Sequence, residues 1–318
     1  MLISMSETGS FLENCDNAYI LVHQSPDGDC IGSGFALHAV LKSMGKKSAV
    51  ICCDTFLKKF DYITAVENNP DFEPDTVIAV DVADTKLLGK YQEIYGDKVQ
   101  LCIDHHVSNT GYAERTLLDS KASATCEVLY KLFTCAMGIE ISDYTALCLY
   151  TGIATDTGCF KYENTSAETH EIVGEIMRQH KLNYAKINRE MFDVKTAGRL
   201  KMESAVIDIM EYYLDGKVTV ICITKELLDS LGVDSNDLDG CASLPLQVEG
   251  VEVGITIKEK APDSYKISMR STGDVNVSEI CSALGGGGHA KASGCALDGK
   301  LEDVKKILVE AVRKGMNL

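Results

Sequence analysis

Histidine and aspartate recur in the first half of the chain at places where a side chain can meet a ligand. They read His23-Gln24-Ser25-Pro26-Asp27-Gly28-Asp29, then Asp81, then Asp104-His105-His106, then Asp156. Each place follows a short apolar run, where a carboxylate is costly unless it is paired, hydrogen-bonded or bound to a cation. Brought to one point, five aspartates would push one another's pKa values up sharply, so any shared site has to include cations. Oxygen donors mixed with imidazole, without thiolates, suit Mn²⁺ first, then Mg²⁺, Fe²⁺ or Co²⁺. The donors exceed what one ion takes. Two ions about 3.5–4 Å apart, sharing one carboxylate, would use them and form the clamp that activates water for phosphoryl transfer. Taken singly, a residue such as His23 or Asp81 is more often a hydrogen-bonded turn residue or helix cap than a ligand, Asp143 reads as an N-cap, and Asp54 reads as a turn residue. The joint occurrence carries the metal reading.

A second focus is the run Gly285-Gly286-Gly287-Gly288-His289. Consecutive glycines expose backbone N–H groups and allow close approach to an anion, although a hairpin tip has the same composition. Lys291 follows two residues on, and Arg270 ends a neighbouring predicted strand. An Arg there could grip a phosphate with two parallel hydrogen bonds.

The elements that must position these residues alternate. Short β-branched runs at Ala18–Val22, Ser48–Cys53, Val77–Val80 and Val99–Ile103 predict strands, and Ile31–Met44, closed by Gly45, predicts a helix. Repeated β-α-β units imply an α/β fold with a parallel sheet covered by helices on both faces, whose ligands bind beyond the carboxyl ends of the strands. Helical patterns follow at Ser123–Met137, Asp143–Thr155 and Ala167–His180. The expected organisation is a catalytic metal-binding domain over 1–195, a linker helix over 196–214 and a smaller α/β domain with a mixed sheet over 215–318. The last contains a strand at Lys217–Ile223, a hairpin turned at Ala261–Pro262–Asp263 and a terminal helix from Leu301.

Composition narrows the function classes. With 47 Asp+Glu against 31 Lys+Arg in 318 residues, the formal charge is −16. That argues against a broad basic face for long duplex nucleic acid and leaves a small anionic ligand at one local site. No run approaches the ~18 apolar residues of a membrane span, and Met1 to Cys15 is polar and acidic where a signal peptide would be basic and then apolar. Thirteen Cys, an odd number without a C-x-x-C pair, read as reduced thiols, so the chain is expected to be cytoplasmic and free of membranes.

In this order, His23-x-x-x-Asp27-x-Asp29, Asp81, Asp104-His105-His106 and Asp156 resemble the four motifs of the DHH phosphoesterase superfamily. The stretch Gly285–Gly294 is similar to the signature of the DHH-associated C-terminal domain, and the chain as a whole to the nano-RNase/pAp phosphatase group. The resemblance implies His23, Asp27 and Asp81 on one Mn²⁺ and Asp29, Asp81, His105 and Asp156 on the other, with Mg²⁺ or Co²⁺ as substitutes. It implies His106 as the group facing substrate and general acid, Asp104 orienting an imidazole beside it, and Arg270, Gly286, Gly287, Gly288 and His289 as substrate-binding residues. The implied activity is release of nucleoside 5′-monophosphates from RNA of two to five nucleotides or from 3′-phosphoadenosine 5′-phosphate (pAp). Cyclic di-AMP or pApA phosphodiesterase activity is the alternative, and a nucleotide-binding regulator without chemistry a further one. A homodimer is left open. Lys161 stands where many relatives carry Arg, which puts the grip on phosphate there in question.

Overall fold

A computed structural model describes residues 1–318 apart from 234–237, 239 and 317, and of His289 only the backbone. The chain forms two compact units, Met1–Val194 and Lys195–Leu318. The first runs α1 (Met5–Asn14), β1 (Ala18–Leu21), α2 (Gly28–Ser43), β2 (Ser48–Ile51), α3 (Asp61–Thr64), β3 (Thr76–Val80) and α4 (Gln92–Tyr95). It continues β4 (Leu101–Asp104), β5 (Arg115–Leu118), α5 (Thr125–Lys131), α6 (Asp143–Asp156), α7 (Ala167–Gln179) and α8 (Tyr184–Asn188).

Its sheet is parallel, in the order β2-β1-β3-β4-β5. The apolar runs are buried on both faces, as strands of a covered parallel sheet must be. Ile20, Val22, Ile78, Val80, Leu101 and Ile103 face the core made with α2, α5 and α6. Tyr19, Leu21, Val77, Ala79 and Cys102 face a thinner layer built from short helical turns around Leu88, Tyr91 and Tyr95. The chain goes from β1 outward to β2, then returns to the other side of β1 for β3. The resulting switch point between β1 and β3 opens a crevice at their carboxyl ends. β5 carries only Leu117 and Leu118 as apolar residues, too short a run to be read as a strand from sequence.

Glycines set the closeness of α2 and α6. A Cβ on Gly32 would lie 2.5 Å from the Cys148 carbonyl oxygen, and one on Gly152 would lie 2.2 Å from Cys126 Sγ and 2.7 Å from Asp29 Oδ1. Ser142 caps α6 by accepting from Thr145 N–H at 3.1 Å. Asp143, expected as that cap, is instead the first helical residue and accepts from His180 Nδ1 at 2.7 Å.

The second unit runs α9 (Ala197–Asp208), β6 (Glu211–Tyr213), β7 (Val218–Ile223), α10 (Lys225–Leu231), β8 (Val253–Ala261) and β9 (Ser264–Ser271). It ends with α11 (Val277–Ala283), β10 (Gly287–His289), β11 (Ala292–Asp298) and α12 (Leu301–Gly315). Its sheet is mixed, in the order β10-β11-β9-β8-β7-β6, with β7 and β8 parallel and the other pairs antiparallel. One face packs on α11 and α12 through Val253, Ile255, Ile267, Met269, Val304 and Leu308. The stretch read as a linker helix supplies α9 and the edge strand β6. Met202 and Val206 of α9 are fully buried with Ile221, Ile223 and Leu244, so the helix belongs to the packing of the second unit. Among the described residues, no helix is long and apolar enough to cross a membrane.

Replacing Gly152 by Ala is expected to cost about 1–3 kcal/mol of stability, because the buried Cys126 and Asp29 side chains meet the new methyl. Gly174→Ala in α7, where nothing lies within 4 Å of the added carbon, is expected to gain about 0.5–1 kcal/mol. Urea melts of both variants check this; equal effects would remove the α2–α6 contact as the cause.

Candidate metal centre and phosphate-binding face

The loop after β1 is held before any ligand arrives. Ser25 N–H donates to Asp54 Oδ2 at 2.7 Å, which gives Asp54 a definite task as an anchor. Asp27 is the N-cap of α2 and its Oδ1 accepts from the N–H groups of Asp29 (3.1 Å) and Cys30 (3.0 Å). Its side chain is 60% exposed. His23 Nδ1 lies 2.8 Å from the Gln24 carbonyl oxygen, which can only accept, so Nδ1 carries the proton. Its Nε2 lone pair is therefore free. It lies 3.9 Å from Asp27 Oδ1 and 3.7 Å from Asp81 Oδ2.

His105 is arranged in the same way. Nδ1 faces the Ala122 carbonyl oxygen at 3.1 Å, and Nε2 lies 3.8 Å from Asp81 Oδ1 and 3.4 Å from Asp156 Oδ2. Asp81 thus stands between the two imidazoles. It follows β3 with φ of +58°, a left-handed conformation that costs a non-glycine residue of order 1–3 kcal/mol. The Asp81 N–H donates to the Ile103 carbonyl, and its Oδ1 accepts from Thr125 Oγ1 at 2.8 Å. Asp156 is the last residue of α6, a helix end where the others occupy strand ends or the start of α2.

Asp29 is buried, and its oxygens accept from the backbone N–H groups of Thr125 (2.6 Å) and Cys126 (2.9 Å). The segment 122–126 therefore holds three of the site residues at once. Sequence reasoning missed it, although Ser123 and Thr125 are polar residues inside an otherwise apolar helical start. Glu127, fully buried, fixes this segment by accepting from Ser123 Oγ at 2.7 Å and Thr169 Oγ1 at 2.8 Å. Cys30 was also missed: its thiol sits with His23 and Asp81 in one group of donor atoms. Burial pushes that thiol well above its ordinary value, which makes it a poor ligand beside the carboxylates.

Three sets of donor atoms lie within 4.8 Å of one another: His23, Cys30 and Asp81; Asp81, His105 and His106; and Asp29, His105 and Asp156. Burial, reinforced by neighbouring carboxylates, raises Asp29 well above the usual carboxylate range and raises Asp81 as well. Burial pushes Asp156 up to about 6. Carboxylates held together by backbone hydrogen bonds against this repulsion are a site built for positive charge. Two inward Nε2 lone pairs with hard oxygens fit a Mn²⁺- or Mg²⁺-type cation.

His106 differs from its neighbour. Its Nδ1 donates to Asp104 Oδ1 at 2.7 Å, and that hydrogen bond pushes the imidazole up to about 9. Asp104 is fully buried. Burial works to raise its pKa and is outweighed by the hydrogen bonds of His106 and Asn109, the latter at 2.6 Å, so it stays below its ordinary value. Asp104 also accepts from the His105 and His106 N–H groups, at 2.8 and 3.3 Å. It orients the His pair from behind.

The second unit brings its candidates onto adjacent strands. Arg270 on β9 lies opposite Ala292 on β11, and Ala292 opposite His289 on β10. Arg270 Nη1 donates to the Met269 carbonyl oxygen at 3.0 Å. The His289 side chain lies outside the described residues. The glycine run is a hairpin rather than an open loop, since Gly287 and Gly288 pair with Gly294 and Ser293. A Cβ on Gly286 would lie 2.1 Å from the Gly294 carbonyl oxygen, and Gly288 has φ of +147°. Packing alone demands glycine at those two positions. Gly287 has nothing within 4 Å. Lys161 is exposed in the turn after α6, where Gly158, Cys159 and Phe160 all have positive φ.

The family model "DHH family, N-terminal domain" matches residues 17–153, and the model "DHHA1 domain" matches 215–314. The chain is 29% identical over 306 residues to a Thermus thermophilus protein named bifunctional oligoribonuclease and PAP phosphatase, covering 93% of this chain and 89% of that one. A crystal structure of an exopolyphosphatase-related protein from Bacteroides fragilis superposes with a TM-score of 0.89 at 27% identity, covering 98% of this chain and 95% of that chain. The fold is also that of Thermus thermophilus RecJ in complex with Mn²⁺, at a TM-score of 0.55 and 13% identity, over 99% of this chain and 55% of that one. The chain thus carries a DHH family N-terminal domain followed by a DHHA1 domain.

Proposed function

We propose that this protein is a metal-dependent phosphoesterase that releases nucleoside 5′-monophosphates from RNA of two to five nucleotides and from pAp. The observation that carries the reading is the convergence, at one edge of a parallel sheet, of two imidazoles with free Nε2 atoms and four carboxylates, beside a third imidazole locked by buried Asp104. The substrate class comes from the name of the Thermus relative. Thirteen free cysteines fit a reducing, cytoplasmic setting.

Two divalent cations, Mn²⁺ by preference, would be held by His23, Asp27 and Asp81 and by Asp29, Asp81, His105 and Asp156, and would supply charge that polarises a phosphoryl group and acidifies water. The remaining work falls to the chain. His106 has Nδ1 engaged by Asp104, so the proton on Nε2 is the one available to a leaving oxygen. Asp104 is a positioning residue that keeps that imidazole charged and correctly turned. Arg270 binds a phosphate of the substrate through its guanidinium fork.

A product assay on pAp, diribonucleotides to pentaribonucleotides, cyclic di-AMP and pyrophosphate with Mn²⁺ tests the reading. Release of mononucleotide from pAp and short RNA, with pyrophosphate untouched, is expected; faster cleavage of the cyclic dinucleotide would replace it by the cyclic phosphodiesterase reading.

Asp81→Ala is expected to lose bound Mn²⁺ and activity together. His106→Ala should keep its metal, measured by elemental analysis, while kcat falls about 10²–10⁴-fold, the usual worth of a general acid. Metal loss in the His106 variant would make it a ligand instead.

Asp29, Asp81 and Asp156 have folded pKa values above their unfolded ones, so the folded state binds the extra protons. The metal-free protein should therefore gain stability as pH falls from 7 toward 5. The increase in Tm given by Mn²⁺ should be largest at pH 7 and shrink on acidification. A Mn²⁺ shift that is constant over this range would contradict the carboxylate cluster as its origin.

A further inference from the structure

Of the carboxylates gathered at the edge of the first sheet, one is held differently from the rest. Asp27 and Asp29 each accept backbone N–H groups, and Asp81 accepts the Thr125 hydroxyl. Among the described residues, nothing donates a hydrogen bond to the Asp156 carboxylate, whose near polar neighbour is His105 Nε2 at 3.4 Å. Asp156 is also the last residue of α6, where the helix carbonyls carry partial negative charge and disfavour a carboxylate. Its place therefore depends on how the backbone ends there.

That end is closed carbonyl by carbonyl. The Ile153 carbonyl accepts from Thr157 N–H at 3.2 Å, the Ala154 carbonyl from Cys159 N–H at 2.7 Å and the Thr155 carbonyl from Gly158 N–H at 3.1 Å. The Asp156 carbonyl is taken by a side chain, Asn164 Nδ2, at 3.2 Å. The chain returns to it through a turn in which Gly158, Cys159 and Phe160 have φ of +56°, +59° and +63°. Non-glycine residues adopt that conformation in succession only where the surroundings impose it. The same Nδ2 donates to the Ser123 carbonyl at 3.0 Å, 41 residues earlier in the chain. Both partners are carbonyls, which can only accept, so the amide is oriented with its nitrogen toward them.

Ser123 lies in the segment that backs the other ligands. Ala122 before it supplies the carbonyl behind His105, and Thr125 and Cys126 after it supply the N–H groups on Asp29. From the other side, the Ser123 hydroxyl is anchored on buried Glu127. One amide thus spans two pieces of backbone, the end of α6 that carries Asp156 and the 122–126 segment that backs His105 and Asp29. Neither of its bonds reaches the loop of His23 and Asp27. Asn164 itself is exposed and makes no hydrogen bond to a ligand side chain.

We propose that Asn164 is a positioning residue for one of the two cations, the one assigned to Asp29, Asp81, His105 and Asp156, and has no part in holding the cation at His23 and Asp27. The proposal rests on the two-cation phosphoesterase reading and adds to it a side chain outside the ligand set. With the amide in place, Asp156 and His105 face each other before an ion arrives. Without it, the end of α6 and the 122–126 segment lose their common tie, and the ion has to order them.

Calorimetric titration of the whole protein with Mn²⁺, without substrate, tests this in two backgrounds. His23→Ala keeps the ion at Asp156, and His105→Ala keeps the ion at His23. Asn164→Ala is expected to weaken Mn²⁺ binding about 10–100-fold in the first background, the usual worth of a group that orients a metal ligand, and by less than about twofold in the second. In the otherwise unaltered protein, Asn164→Ala should abolish the spin-coupled Mn²⁺ pair seen by electron paramagnetic resonance at limiting Mn²⁺, and excess Mn²⁺ should restore it. Equal weakening in both backgrounds is the mark of a merely structural residue and overturns the proposal, as does unchanged affinity in both or a pair signal with unaltered Mn²⁺ dependence. Selective weakening in a protein that releases no mononucleotide from pAp or short RNA would sustain the role of Asn164 and remove the hydrolase reading. Turnover without selective weakening would do the reverse.

Discussion

The repulsion among buried carboxylates at the edge of the first sheet governs the rest of that domain. Asp29 and Asp81 are nearly inaccessible to water, with Asp156 acting on Asp29, yet Asp29 and Asp81 accept hydrogen bonds from neutral groups that cannot neutralise them. Backbone N–H groups of Thr125 and Cys126 hold Asp29, and the Thr125 hydroxyl holds Asp81. Hydrogen bonds of this kind favour the charged carboxylate but leave the mutual repulsion in force. The fold therefore carries an unfavourable term that a cation removes. The left-handed backbone at Asp81 is a second such term, imposed by the need to turn a carboxylate back toward both imidazoles.

Preorganisation of the imidazoles follows from the same constraint. A ligand histidine has to present a lone pair, and the carbonyls of Gln24 and Ala122 take the Nδ1 protons of His23 and His105 so that Nε2 is bare. His106, one residue further along, has a carboxylate behind it and so keeps its proton. Adjacent residues of one type are thus given opposite tasks by the acceptor each ring faces. A carbonyl makes a ligand, and a carboxylate makes an acid.

The sequence made the parallel sheet and the acidic and imidazole residues at its edge legible, because strand ends follow directly from where the β-branched runs stop. Less visible was what holds those residues. The Ala122–Cys126 segment, Asp54 behind Ser25 and Glu127 behind Ser123 act across 29 to 97 residues of chain or from a buried position, and no local spacing announces them. The glycine run was legible as a place of close approach, with a hairpin tip as one of its readings. Gly286 and Gly288 are required by a hairpin that brings backbone against backbone, a demand that comes from β11. The stretch 196–214 has a helical pattern, but its burial against Ile221 and Ile223 depends on a strand that follows it.

Charge is distributed in this chain by function and not by average. An acidic protein disfavours a polyanion everywhere except where cations are left without acidic partners, and the surplus of 47 acids over 31 bases makes such places conspicuous. Lysines elsewhere sit beside carboxylates, as Lys131 does with Asp119 and Lys305 with Glu211. Arg270 and Lys266 lie instead beside the small residues Ala292 and Ala296 of β11, on a sheet whose opposite face is sealed by α11 and α12.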